Sequence, residues 1–302
     1  MMPSRAASLS RRIAGLAIAS MLAPLACSRD RAASPSEAPA LVRARPYAVH
    51  VPARHDARAP LVVALHGLGQ SGGEISDALH LTELSDAHGF VVAMPDGTKN
   101  KAGARFWNAS DACCDFFDQG VDDVAYLSAV IDDAVLRHPV DPERVYLIGF
   151  SNGGFLAHRY ACDHPDRVAA VVSLAGAGYK DPAKCTPKAP VTVLEVHGDA
   201  DNVVRYAGGR LFDYPTFKRP EVEHMAPFPG ARETVEAWAK RDGCTGAPTK
   251  KGDPYQEETR FGTCTGGAEV DLWTIHGAGH ALTLDMAQME HVWSFLKRFP
   301  SR

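Results

Sequence analysis

The sequence has no apolar run long enough to cross a membrane. The apolar stretch near the N-terminus covers residues 13–26 and is about 14 residues long, whereas a spanning helix needs about 20. It follows a basic start that carries Arg5, Arg11 and Arg12. A short apolar run after a basic start is typical of an export signal, so we assign residues 1–26 to such a signal.

The sequence also lacks a basic stripe. Lys and Arg total 32 against 36 Asp and Glu, which gives a formal net charge of −4 for 302 residues. No aromatic residues interleave with lysines, and no internal repeat is visible. A nucleic-acid partner is therefore not expected. With 45% hydrophobic and 23% charged residues, the composition is that of a globular chain with a substantial core.

Metal-ligand spacing is missing as well. No two cysteine pairs have C-x-x-C spacing, and no histidine pair stands at helical spacing near them, so we expect no zinc site. Beyond Cys27 the sequence holds six cysteines, an even number that suggests disulfides in an oxidising compartment. These six residues are Cys113, Cys114, Cys162, Cys185, Cys244 and Cys264.

Two disulfides are predicted from the positions of these cysteines. We expect Cys244 to pair with Cys264, which would close the excursion between a helix end and a late strand. Cys162 and Cys185 are the second expected pair. The two adjacent cysteines either form a vicinal disulfide or pair with other partners.

Residues 27–45 are rich in Ser, Ala, Pro and charge, which predicts a flexible tether. Cys27 directly follows the signal and is a candidate for lipidation, as in a bacterial lipoprotein. Ala26 fits that interpretation, whereas Pro24 stands where Leu is usual. The alternative is a cleaved soluble protein, exported by the twin-arginine route, to which "SRRIAG" is a weak match. The expected location is periplasmic, secreted or anchored to a membrane by the lipid.

Strand and helix patterns alternate after residue 46. The central strands are apolar throughout rather than alternating, which is typical of a mostly parallel sheet with helices on both faces. We therefore predict a single α/β domain over residues 46–302. "SDALHLTELSDAHG" predicts a helix that ends at Gly89, and the irregular stretch 205–230 predicts a loop that shapes a substrate cleft. The predicted central strands are "LVVALH", "FVVAMPDG", "RVYLIGF", "VAAVVSLAG", "VTVLEVHG" and "AEVDLWTI".

The segment "GFSNGG" (149–154) places Ser151 between a predicted strand and a predicted helix. A sharp turn with a serine at its apex needs glycines two residues before and after, because neighbouring backbone comes close there. Gly149 and Gly153 meet this need. The pattern predicts a nucleophile elbow, with the hydroxyl of Ser151 exposed at the end of the sheet.

A serine nucleophile needs a base, and the base needs an orienting carboxylate. "DLWTIHGAGHAL" offers His276 and His280, and we favour His280 because it lies beyond the strand in a glycine-rich loop. "VLEVHGDADNVV" offers Asp199 and Asp201, and we favour Asp201 because it lies past the turn. The resulting order of Ser, Asp and His is that of α/β-hydrolases.

An oxyanion hole is predicted in "LHGLGQSGG" (65–73), which follows an early strand. We expect its two backbone donors to be the amides of Leu68 and Asn152. His66 and His197 precede glycine in two His-Gly motifs and are interpreted as structural. His158 is interpreted as a packing residue.

With these residues in place, the chain resembles the polyhydroxybutyrate depolymerase and feruloyl esterase group, which is similar to carbohydrate esterase family one. The resemblance runs from about residue 46 to the end. It implies an α/β-hydrolase fold and an exported serine esterase without a cofactor, and it supports Ser151, Asp201 and His280 by position. Arg205 stands where the group usually has Pro. The segments that carry the resemblance are "LHGLGQSGGE", "FWNASDACCDFFDQGVDDVAYLSAVID", "VYLIGFSNGGFLAHRYAC", "VHGDADNVVRYAGG" and "GAGHAL".

The sequence thus predicts hydrolysis of carboxylic esters through an acyl-enzyme. Its partner is an ester substrate: a short-chain ester, a feruloyl or acetyl ester of a sugar, or a hydroxyalkanoate oligomer. The alternatives are a serine peptidase of the prolyl-oligopeptidase type and an inactive binding protein on the same scaffold. Trp107 and Tyr206 are candidate substrate contacts, as are Phe116 and Phe117, although each could equally be a core residue.

Overall fold

The structure is a computed structural model that describes residues 39–211 and 223–300. The predicted export signal, Cys27 and most of the predicted tether lie outside the described residues. Part of the predicted cleft loop, residues 212–222, lies outside them as well. In the described part of the chain, no helix is both long and apolar enough to cross a membrane.

A nine-stranded sheet forms the centre of the molecule, in the order β1-β3-β2-β6-β7-β8-β13-β12-β11. The six strands from β3 to β13 in that order are parallel, and antiparallel strands complete both edges. Its strands are β1 Ala48–His50, β2 Ala59–Leu65, β3 Val91–Met94, β6 Val140–Phe150, β7 Ala170–Leu174, β8 Thr192–Gly198, β11 Thr249–Asp253, β12 Gln256–Arg260 and β13 Val270–Ile275. Two short ribbons lie apart from it, formed by β4 Thr98–Lys99 with β5 Arg105–Phe106 and by β9 Gly208–Gly209 with β10 Phe228–Pro229.

Seven α-helices cover the two faces of the sheet in the described residues. They are α1 Ala40–Ala44, α2 Gly72–Ala78, α3 Leu81–His88, α4 Asp123–Arg137, α5 Asn152–Asp163, α6 Ala231–Arg241 and α7 Met286–Leu296. Helices α4, α5 and α6 pack into the core of one face, and α2, α3 and α7 pack into the core of the other. Strands β2, β7 and β8 are buried along their whole length, as expected for a sheet covered on both sides.

Two helical segments differ from the sequence prediction. Residues 40–44, assigned to the tether, form α1 because Val42 packs into the core. The guanidinium of Arg45 then reaches Asp123, with Nη2 2.8 Å from Oδ1, and lies 3.5 Å from the ring of Tyr126. The single helix predicted up to Gly89 is divided into α2 and α3, because His80 adopts a left-handed conformation with φ of 51°.

Three disulfides join the six cysteines of the domain: Cys113–Cys114, Cys162–Cys185 and Cys244–Cys264. The two pairs predicted from the sequence are formed. The adjacent pair takes the vicinal form rather than pairing with other cysteines.

Candidate active site

The candidate site lies outside the carboxyl ends of the parallel strands. The chain passes from β2 to β3 on one side of β2 and later returns to β6 on the other side. In open α/β sheets, a crevice opens where the strand order reverses in this way, and ligands bind there. Ser151 follows β6, and the loop that begins at His66 follows β2, so both flank the crevice.

Ser151 occupies a strained turn between β6 and α5. Its φ of 52° and ψ of −116° lie where side chains are disfavoured. The turn is possible because the backbone crosses itself at glycines. A Cβ on Gly149 would overlap the carbonyl oxygen of Gly153, and a Cβ on Gly153 would overlap that of Leu65. The elbow predicted from "GFSNGG" is therefore present, and it directs the hydroxyl into the crevice.

Three residues from separate loops form a hydrogen-bonded chain. His280 Nε2 lies 2.9 Å from Ser151 Oγ, and His280 Nδ1 lies 2.8 Å from Asp201 Oδ2. An ionised carboxylate only accepts, so Nδ1 of the imidazole carries the proton and Nε2 accepts from the serine hydroxyl. This is the tautomer that a general base needs for removing the serine proton.

Asp201 is held in its ionised form. Its Oδ1 accepts from the backbone amides of Val203 and Val204, at 2.8 and 3.0 Å. Burial by itself would raise the pKa of Asp201, but hydrogen bonds from His197 and His280 outweigh burial and lower the pKa to about 2. The carboxylate is therefore negative at any pH at which the enzyme would work.

The two predicted oxyanion donors flank the serine. Asn152 is the first residue of α5, and its amide is one of the N–H groups that a helix leaves without an internal partner. Its buried side chain makes two hydrogen bonds to the backbone of Trp107. Oδ1 accepts from the amide N of Trp107 at 2.7 Å, and Nδ2 donates to the carbonyl oxygen of Trp107 at 2.9 Å. Leu68 lies across the crevice in the loop after β2.

His66 supports that loop from beneath. Its Nδ1 donates to the carbonyl of Gly67 at 2.7 Å, and its Nε2 accepts from the amide of Gly97 at 2.9 Å. Burial lowers the pKa of His66, which agrees with a neutral ring that donates on one side and accepts on the other. The structural role predicted for His66 matches this position.

A pocket of about 350 Å³ opens beside the serine. Its walls are mainly apolar, and the vicinal disulfide forms part of them. Larger depressions exist elsewhere on the described surface, but they do not contain Ser151. The side chains around the pocket include Leu68, Cys113, Cys114, Phe116, Phe150, Val203, Val204, Leu211 and Ala281.

Three of the four aromatic candidates named from the sequence do not line this pocket: Trp107, Tyr206 and Phe117. Trp107 is fully buried, and its indole N–H donates to the carbonyl of His66 at 2.9 Å. Tyr206 packs its ring against His197, and its hydroxyl lies 2.7 Å from Thr274 Oγ1. Both side chains support the loops of the site instead. Phe116, named with them, is the one that reaches the pocket.

The competing His–Asp pair also exists. His276 Nδ1 lies 2.8 Å from Asp199 Oδ2, and both side chains are well exposed. Neither residue lines the pocket that contains Ser151. In the part of the chain that the structure describes, no cluster of three His, Cys, Asp or Glu side chains is arranged to hold a metal ion.

Comparison with solved structures gives the class of fold. An acetyl xylan esterase from Aspergillus awamori aligns with 82% of this chain and 93% of its own length, with a TM-score of 0.62 at 16% identity. At this identity the likeness shows the fold alone, and the fold is that of the α/β-hydrolases. Residues 45–203 match the family model described as Esterase PHB depolymerase, and the chain belongs to that family.

Curated relatives agree with this assignment. The protein named "Putative esterase NocK" from Nocardia uniformis subsp. tsuyamanensis is 34% identical over 251 residues, which cover 79% of this chain and 70% of the relative. Feruloyl esterase B from Piromyces equi is 32% identical over 249 residues, 81% of this chain. The match spans only 43% of that relative's length. The chain thus belongs to a family of esterases that has the α/β-hydrolase fold.

Proposed function

We propose that the chain is an exported serine esterase that works through an acyl-enzyme. One observation carries the proposal: Ser151, His280 and Asp201 form a continuous hydrogen-bonded chain that ends at a serine hydroxyl in an apolar pocket. The three disulfides are the pairing expected of a protein that folds in an oxidising compartment, which supports export.

The reaction follows from this arrangement. Ser151 Oγ attacks the ester carbonyl while His280 takes its proton, and the amides of Leu68 and Asn152 donate to the developing oxyanion. Collapse of the tetrahedral intermediate breaks the ester bond, and His280 passes the proton to the departing alcohol. Water then attacks the acyl-enzyme, His280 removes its proton, and the acid leaves as Ser151 regains its hydrogen.

The pocket favours an apolar acyl group larger than acetyl. Leu68, Phe116 and Phe150 offer contacts to carbon, and a volume of about 350 Å³ exceeds what an acetyl group fills. An additional methylene in an apolar pocket is worth roughly tenfold or more in kcat/KM. We therefore expect p-nitrophenyl butyrate and methyl ferulate to be better substrates than p-nitrophenyl acetate. Parallel assays with acetylated xylan and 3-hydroxybutyrate oligomers rank the remaining ester classes.

The decisive test of the mechanism is Ser151→Ala. The variant should release no p-nitrophenol above background while its circular dichroism spectrum stays that of the wild type. A fluorophosphonate probe should label the wild type at Ser151 and leave the variant unlabelled. Ser128→Ala, on α4 and away from the pocket, is the matched control and should keep full activity. Activity or labelling that survives in Ser151→Ala would refute the acyl-enzyme mechanism.

Two further outcomes would redirect the proposal. Cleavage of peptide anilides in preference to esters would favour a peptidase. A folded wild type that neither cleaves esters nor reacts with the probe would favour a binding protein on this scaffold.

A further inference from the structure

The strand that leads to Asp201 carries two ionisable side chains inside the core. On β8, Val193 faces the core beneath α5 and α6, and Glu195 and His197 continue the same face. Glu195 is 0% exposed and His197 is 1% exposed. Charged groups at such depth are retained only when every polar atom has a partner.

The hydrogen bonds of His197 fix its protonation. Its Nδ1 lies 2.9 Å from Glu195 Oε1, and its Nε2 lies 2.7 Å from the carbonyl oxygen of Val204 and 3.3 Å from Asp201 Oδ2. All these partners are acceptors. Both ring nitrogens must therefore donate, which makes His197 an imidazolium paired with the Glu195 carboxylate.

A second histidine completes the arrangement and stays neutral. The indole N–H of Trp238 donates to His158 Nδ1 at 3.0 Å, so that nitrogen carries no proton. The remaining N–H, on Nε2, donates to Glu195 Oε2 at 3.0 Å. Each carboxylate oxygen of Glu195 is thus held by a different histidine, one neutral and one charged.

The positive ring of His197 faces the catalytic carboxylate. Asp201 Oδ2 accepts from His280 on one side and from His197 on the other. Burial would lower the pKa of His197, but its bonds to Asp201 and Glu195 outweigh burial and raise the pKa to about 9. The pKa of Glu195 is lowered, because the bonds from both histidines outweigh burial.

We propose that Glu195 and His197 are positioning residues of the esterase: a buried ion pair that orients Asp201 and places a fixed positive charge beside the triad. The proposal rests on the proposed function of Ser151, Asp201 and His280. Positive charge near His280 disfavours its protonated form, which cannot act as a base. The ion pair therefore extends activity towards lower pH.

The surroundings of the pair contain few other ionisable groups. His158 faces it from α5, Asp201 from the loop after β8, and Tyr206 packs its ring against His197. The neighbouring strands β7 and β13 place Ser173 and Thr274 beside it in register, and neither titrates. The charge beside Asp201 thus depends on Glu195 and His197 themselves.

The test is Glu195→Gln, which keeps the volume and removes the charge. The amide can accept from His158 and donate to Nδ1 of His197, so His197 becomes neutral while its Nε2 still donates. The acidic limb of the kcat/KM profile should then move to higher pH by about one unit, a displacement of the size common in folded proteins. Val193→Ala, on the same face of the strand, is the matched control: it loosens the core without changing charge and should leave the limb in place.

The outcomes separate this inference from the function it rests on. A limb that stays at the wild-type pH in Glu195→Gln, or one that moves equally in Val193→Ala, would overturn the inference while the esterase mechanism stands. If Glu195→Gln does not fold, nitrogen NMR of the wild type with labelled histidine decides. A doubly protonated His197 ring at pH 7 supports the ion pair, and a neutral ring overturns it.

Discussion

Two His–Asp pairs lie at the ends of neighbouring strands, and they share one geometry. Asp199 with His276 and Asp201 with His280 each join Oδ2 to Nδ1 at 2.8 Å. They differ in their surroundings. Asp201 is buried and fixed by two backbone amides, whereas Asp199 is exposed. Only His280 has its second nitrogen within reach of a nucleophile.

The comparison shows that a short His–Asp distance does not by itself define a catalytic pair. The exposed pair competes with water for its hydrogen bond, and such pairs contribute little. The buried pair has its tautomer and orientation fixed from both sides. Variants made in parallel at the two pairs measure the effect of that difference on catalysis and on stability.

The largest difference is expected between the histidines. His280→Ala removes the general base and should lower kcat by a factor of about 10⁴ or more. His276→Ala removes only an exposed hydrogen bond and should keep wild-type kcat. Both are measured by initial rates with p-nitrophenyl butyrate. Equal losses in the two variants would mean that the base has been misassigned.

Replacing the two carboxylates should give almost as large a difference in kcat. Asp201→Asn leaves the site in shape but favours the wrong tautomer of His280, and a loss of about 10⁴ in kcat follows. Asp199→Asn should retain activity because its partner contacts no reacting atom. The readout is kcat at pH 7 and pH 9. A large loss in Asp199→Asn with little loss in Asp201→Asn would reverse the assignment.

A smaller effect is expected where the end of β8 touches the loop after β13, which carries both histidines. A Cβ on Gly198 would overlap the carbonyl oxygen of Ala278, between the two histidines. Gly198→Ala should therefore displace the histidine loop and lower kcat/KM by about a hundredfold, the cost of misplacing a reacting group by about 1 Å. The overlap should also lower the free energy of unfolding by about 2 kcal/mol, measured by urea denaturation.

Gly279→Ala is the control for this contact. No atom lies within 4 Å of the position of its Cβ, and the backbone there is not left-handed. Activity should be retained, and the free energy of unfolding should change by less than about 0.5 kcal/mol. If both alanine variants behave alike, the close approach at Gly198 is not what holds the loop.

The smallest effect is on stability in acid. The pKa of Asp201 is about 2 in the folded chain, below its ordinary 3.8, so the ionised group stabilises the fold above about pH 4. That contribution, about 2 kcal/mol, is lost as the pH falls from 4 towards 2. In urea titrations over this range, the free energy of unfolding should fall less steeply with decreasing pH in Asp201→Asn than in Asp199→Asn. A decline in Asp201→Asn as steep as in the wild type would contradict the lowered pKa.

The sequence predicted the sheet, and it singled out the three residues that the structure joins by hydrogen bonds, because each depends on a local signal. Apolar runs predict buried parallel strands, and Ser151, Asp201 and His280 each follow such a run in a glycine-containing turn. The choice between the two pairs also followed from the sequence, because distance past the strand end decides which side chain reaches the crevice.

Other features depend on contacts that no local pattern contains. The hairpin of β11 and β12 is rich in charged residues, and pairing with the edge of β13 defines it. Glu195 stands in the run "VTVLEVHG", which is typical of an apolar strand. One of its partners, His197, is on the same strand, but the other, His158, comes from α5. For Trp107 the sequence left pocket and core open, because an aromatic residue near a motif has no pattern that separates the two, and in the structure it is fully buried.

Arg45 has a practical consequence for anyone who trims this protein for expression. A recombinant version started at residue 46 would omit the guanidinium that faces the fully buried Asp123. A buried carboxylate that loses its charged partner usually destabilises a protein by several kcal/mol. Shortened versions should begin before Pro39, so that the first helix and its cation are kept.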